Sequence, residues 1–151
     1  MNHEDILAEL ERYACRHGIK VRWASKLNPH TPPVVSVHFR TIVMNSNWED
    51  KNEYPLQLAH EITHIEDGDP DNLILPYSNV AQMDYGVEYK ANRGAIDMLL
   101  PYYTETFLDL SELNAVEFMQ QFSIPSHLEG YVTSKVNRII GDYIKEENAN
   151  Y

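Results

Sequence analysis

Cysteine is nearly missing from this chain: Cys15 is the single one in 151 residues. No intrachain disulfide can form, and a reducing compartment fits that composition. Equally missing is a run of about 18 apolar residues, the length that a membrane helix needs. The opening Met1-Asn2-His3-Glu4-Asp5 is acidic where a secretory signal is basic and then apolar. Positive charge is sparse too. Twelve Lys and Arg, scattered without a run, stand against 23 Asp and Glu, a formal net charge of −11. A field of that sign repels phosphate backbones, which argues against direct nucleic-acid binding and in favour of basic partners. A cytoplasmic protein without a membrane contact is expected. No Pro- or Gly-rich linker, charge block or repeat divides the chain, so the expectation is one domain over residues 1–151, with a helical tail from about 105 to 151.

What is present sorts into helices around a short β-region. Ile6, Leu7, Leu10, Tyr13 and Ala14 recur at helical spacing, and Gly18 follows as a stop. Ile19, Val21 and Trp23 alternate with Lys20 and Arg22, a half-buried strand. Pro32 and Pro33 keep the next stretch a loop, and Val34 to Met44 supplies one or two further strands. Tyr54 to Glu66 carries Leu58, Ile62 and Ile65 as one apolar helix stripe. Asp67-Gly68-Asp69-Pro70 ends that helix, and a loop of roughly fifteen residues, of functional or lid type, is expected to follow to about Asp84. A second long helix runs from about Tyr85 to Leu100, closed by Pro101. Ser111–Phe122 and Ser126–Lys145 read as two more helices, with Ser126 and Glu129 in a capping-box pattern. The class is α+β.

The stretch that carries chemistry is His60-Glu61-Ile62-Thr63-His64. Two histidines four residues apart on a helix project from one face, one turn above the other, so both imidazoles can reach one Zn²⁺. A carboxylate directly after the first ligand lies beside the metal without binding it, placed to take a proton from a water. That makes Glu61 the candidate catalytic base. A catalytic zinc needs a third protein ligand. The metzincin extension fails, because Asp67 and Pro70 stand where it needs glycine and histidine. Glu66, Asp67, Asp69 and Asp71 crowd the end of the same helix, and Asp84 lies in the loop. Glu88, near the start of the next long helix, can reach the open side of the metal. Asn92, four residues on, shares its face and is a candidate partner for the outer nitrogen of a zinc histidine.

These residues carry a resemblance. The HExxH stretch, then Glu88-Tyr89-Lys90-Ala91-Asn92-Arg93-Gly94-Ala95 and Leu99-Leu100-Pro101, resembles the ImmA/IrrE family of zinc metallopeptidases over about residues 18–101. That pattern is HExxH, a loop, then E-x-x-A-(N/D)-x-x-A and a Leu-Leu-x-Pro-like end. Gly94 departs from it, standing where a larger apolar residue is expected. The resemblance implies a zincin-like α+β domain, with a small antiparallel β-region packed on the HExxH helix and a helical C-terminal part. It implies zinc on His60, His64 and Glu88, and cleavage or inactivation of a partner helix-turn-helix repressor of the kind found on phages and mobile elements. An acidic enzyme suits such a basic substrate. The alternatives are a non-proteolytic anti-repressor and a toxin–antitoxin partner using the same fold as a binding module. Tyr77 and Tyr85, flanking the candidate lid, are the favoured oxyanion donors.

Overall fold

The computed structural model describes residues 1–75 and 86–150. Among them the chain is mixed α+β and mostly helical, with five α-helices and one three-stranded sheet: α1 (His3–Arg16), β1 (Lys20–Ala24), β2 (Val34–Ser36), β3 (Thr41–Asn45), α2 (Tyr54–Glu66), α3 (Val87–Thr104), α4 (Ala115–Gln121) and α5 (Glu129–Ala149). No helix among the described residues is long and apolar enough to cross a membrane.

Helix α1 starts where the Asn2 side chain accepts the Asp5 amide at 2.8 Å, and it buries Ile6, Leu10 and Ala14 along one stripe. Gly18, at φ +72°, turns the chain into β1. The sheet corrects the expectation of an antiparallel β-region. Its order is β1-β3-β2; β3 pairs antiparallel with β2 and parallel with β1, Lys20 opposite Thr41. The chain reverses once in the 25–33 loop and again in the 37–40 turn, and two reversals restore the direction of β1. Strand patterns carry no such directional information. Asn45, at the end of β3, is 1% exposed and fixes the first of these loops. Its amide donates to the carbonyls of Asn28 and Thr31 at 2.8 and 3.0 Å, and its oxygen accepts the Asn47 amide.

The sheet, α1 and α3 all pack on α2, which therefore has no solvent face: every residue from Tyr54 to Ile65 is buried. A single stripe of Leu58, Ile62 and Ile65 understates this helix. Against it, α3 lays Ala91, Ala95, Ile96 and Leu99. Gly94 brings the two helices closest, because a methyl built there would overlap Thr63 Cγ2 and stand 2.9 Å from Thr63 Oγ1. The expected larger residue has no room.

Three boundaries differ from expectation. Pro101 lies inside α3, which continues to Thr104 because Leu100 and Tyr103 are held in the core at 4% and 2% exposure. Asn114 caps α4 through the Glu117 amide, so Ser111 belongs to a preceding 3₁₀ turn over Leu110–Glu112. Ser126 opens another 3₁₀ turn, and α5 follows without a side-chain cap, so the Ser126–Glu129 capping box is not formed. Phe118, Phe122, Leu128, Val132 and Val136 join the same buried cluster as α1, α2 and α3.

Candidate metal centre

Helix α2 sets His60 and His64 one turn apart, both wholly buried, with their rings 4.7 Å apart and nearly perpendicular. The two Nε2 atoms are 3.1 Å from each other. Glu88, in the first turn of α3 and 1% exposed, brings Oε1 to 3.2 Å from each of them. Among the described residues these three form the one group of side chains able to hold a metal ion. Tetrahedral ligands bonded to zinc at about 2.0–2.1 Å stand about 3.3 Å from one another, so the donor set already has close to the separations that zinc requires.

The outer nitrogens decide what the inner ones offer. His60 Nδ1 lies 2.9 Å from Asn92 Oδ1, and His64 Nδ1 lies 3.1 Å from Asp69 Oδ2. Both partners accept, so each Nδ1 carries the proton and each Nε2 turns a lone pair inward. Two lone pairs and a carboxylate oxygen thus converge in a buried space, which is favourable only around a cation, whether a metal or a proton. Without a metal the cation is a proton: an inner nitrogen then becomes N–H and donates to Glu88, and the titration of these groups describes that form. Burial raises the Glu88 carboxyl, yet hydrogen bonds and charge from His60 and His64 outweigh it and hold the pKa at about 2. Burial alone lowers His64, but Glu88, Glu61 and Asp69 overcome that and leave it raised.

Other contacts fix this arrangement. The Leu75 amide donates to Glu88 Oε2 at 3.2 Å, leaving Oε1 to face the histidines. Lys90 Nζ stands 3.3 Å from Asp69 Oδ1 and 3.9 Å from Asp67 Oδ2, tying the segment after α2 to α3. Asp69 is the side chain at this centre that the sequence pattern ranks too low, as a poor ligand. It is not in the triad. Gly68, at φ +66°, reverses the chain just after α2, so that the Asp69 amide bonds the His64 carbonyl at 3.1 Å and its carboxylate reaches the His64 ring from behind. The Asp67-Gly68-Asp69 order was the available signal, since glycine in a left-handed helix cap folds the next residue back.

Glu61 stands next to this group. It is 1% exposed, and Oε2 has no hydrogen-bond partner among the described residues. Burial pushes its pKa up to about 7, with the opposing charges of His60 and His64 and the adding charge of Glu88 as smaller influences. Glu61 also lines a cleft of about 210 Å³ between the Thr31–Val35 stretch and the Asp71–Leu75 segment. Gln57, one turn earlier on the same face of α2, is wholly buried with both side-chain polar atoms unpartnered among the described residues. Of the remaining acidic candidates, Asp71 accepts the Val37 amide at 2.7 Å and Glu66 hydrogen-bonds Tyr13. Tyr77, Tyr85 and Asp84 lie outside the described residues.

Comparison with protein-family models, curated proteins and solved structures found no match. The site is therefore interpreted on its own geometry.

Proposed function

We propose that the protein is a zinc-dependent endopeptidase of ImmA/IrrE type that cleaves or inactivates a partner helix-turn-helix repressor. The observation that carries the proposal is the buried Oε2 of Glu61, unpartnered among the described residues, on a side chain that lines the cleft and feels the charges of His60, His64 and Glu88. The described residues supply three protein ligands, which would leave one position of a tetrahedral metal free, the arrangement of catalytic zinc sites; a structural zinc has its fourth place filled by protein. When bound, the ion would act as a Lewis acid, polarising a scissile carbonyl and acidifying a water. His60 and His64 would present Nε2 to it, oriented by Asn92 and Asp69, and Glu88 would supply a single oxygen. Glu61 would accept the proton at Oε2 and return it to the leaving amine. Burial raises its pKa, and the charge of the ion would oppose that rise, which keeps Glu61 able to take up a proton and release it again. The net charge of −11 favours a basic, DNA-binding substrate.

The test is incubation of the zinc-loaded protein with the transcription factor encoded beside its gene, with and without a chelator. Cleavage that stops with chelator is expected. Glu61→Gln should keep its zinc and lose at least about 10²-fold in rate. Binding of the repressor without cleavage would leave the anti-repressor alternative in its place.

A further inference from the structure

Apart from Thr31, Glu61 and Asp71, the described residues that line the cleft beside Glu61 are apolar. Pro32, Pro33, Val34 and Val35 form one side, and Ile74 and Leu75 form the other. Among the described residues, the charged groups lining it are Glu61 and Asp71, both acidic, and Asp71 Oδ1 is already engaged by the Val37 amide. Its volume of about 210 Å³ falls below the roughly 300–1,000 Å³ of pockets that enclose a whole small-molecule ligand. It is of the size to take one side chain.

The walls are also fixed in place. Asn45 anchors the loop that ends in Pro32 and Pro33, and the two prolines stiffen it further. The opposite wall is held at two points, by Asp71 on the Val37 amide and by the Leu75 amide on Glu88. The second tie joins the wall directly to the donor group, so a side chain lodged between Val35 and Leu75 sits next to the reacting centre.

We infer that this cleft selects the residue adjoining the scissile bond, accepting a bulky apolar side chain and rejecting Asp or Glu. The inference rests on the peptidase reading of Glu61 and the donor group. A leucine or phenylalanine side chain exchanges water for hydrocarbon contact on both walls. An acidic side chain would leave water for a mostly apolar slot and meet the carboxylate of Asp71 there, and that of Glu61 whenever it is ionised. Glycine or alanine would leave the slot unfilled.

Two measurements on the zinc-loaded full-length protein test this. The first is the affinity, by calorimetry, for two peptide hydroxamates that differ at one side chain, leucine against aspartate. The second is cleavage-site mapping on a random peptide library. The leucine compound should bind at least about tenfold more tightly, and mapped sites should be enriched in large apolar residues and depleted of Asp and Glu. Ile74→Lys, on a partly exposed wall position, should retain zinc and shrink or reverse the preference. Equal affinities, or an unchanged preference in Ile74→Lys, would overturn the inference. A library that is cut while the affinities are equal leaves the peptidase standing and removes the subsite. A leucine preference with no cutting of any peptide keeps the subsite and removes the peptidase.

Discussion

Helices α2 and α5 treat their polar residues in opposite ways. In α2, Gln57, His60, Glu61, Thr63 and His64 are all buried, and the helix offers water nothing before Glu66. In α5, 21 residues long, Val132 and Val136 are buried and the charged residues stay at the surface. A buried polar atom without a partner costs about 1–3 kcal/mol. Glu61 and Gln57 between them leave three such atoms unpartnered among the described residues. A helix that only had to complete a core would not retain them. On the peptidase reading, the contrast is between a helix shaped by chemistry and one shaped by packing and solubility.

The largest effect should come from the donor group. His60→Ala, His64→Ala or Glu88→Ala should reduce bound zinc from about one ion per chain to none, read by elemental analysis after reconstitution. In the wild type, zinc at about 100 times its Kd should add about 2.7 kcal/mol of stability. For a chain of this size that is a rise in Tm of roughly 5–10 °C, absent in the three variants. A substitution confined to the surface of α5 should leave the rise intact. If the wild type binds no zinc, the distinction drawn between the two helices loses its chemical basis. One step weaker are the groups behind the histidines. Asp69→Ala and Asn92→Ala should each loosen zinc by about 10- to 100-fold, since an imidazole that has lost its outer acceptor is less basic and free to turn. Unchanged zinc affinity in both would show that these contacts do not orient the ligands.

The same contrast explains what was legible in the sequence. His60, His64, Glu88 and Asn92 could be found because each pair sits four residues apart on a helix, and helical spacing survives any detail of packing. Asp69 could not be ranked correctly, because its reach depends on the backbone angle at Gly68 and not on distance along the chain. The direction of β1 against β3 depends on two loops whose paths no alternation of Val and Lys encodes. Pro101 read as a helix end because local propensity favours one there, yet burial of Tyr103 carries α3 another turn. The apolar stripe of α2 was visible, but its burial on every side depends on three other elements arriving around it. Local rules located the candidate ligands; the turns and the packing that support them are products of the assembled fold.

Gly94 gives a sharper test of how closely α2 is held. On helix propensity alone, Gly94→Ala inside α3 should stabilise by about 1 kcal/mol. The added methyl would instead overlap Thr63 Cγ2, and overpacking of that kind costs about 1–3 kcal/mol. Net destabilisation is therefore expected in denaturant unfolding. Thr63→Ser removes the offending methyl while keeping the hydroxyl that donates to the Ala59 carbonyl at 2.8 Å. The double variant should recover at least about 0.5 kcal/mol beyond additivity. Additive effects would mean that α2 and α3 are not in the tight contact on which the Glu88 position depends.

The smallest effect should come from the α5 side, where the Tyr131 hydroxyl donates to Asp97 Oδ1 at 2.7 Å. Asp97 is 45% exposed and also sits 3.5 Å from Lys135, so water can replace whatever is lost. Tyr131→Phe should cost about 0.5–1.5 kcal/mol and leave zinc binding and cleavage unchanged. Its pH dependence distinguishes a real contact from a bystander. Burial and then the hydrogen bond to Asp97 raise the Tyr131 pKa above its ordinary value of 10.0. The folded state therefore keeps a proton that the unfolded chain releases first, so this stabilisation is complete below pH 10 and declines as the pH rises beyond it. Wild type and Tyr131→Phe should differ by a constant amount at pH 7 to 9 and converge in more alkaline buffer. A difference that persists unchanged above pH 10 would mean that the hydroxyl contributes through packing alone, and that α5 holds no specific polar tie to the helix carrying Glu88.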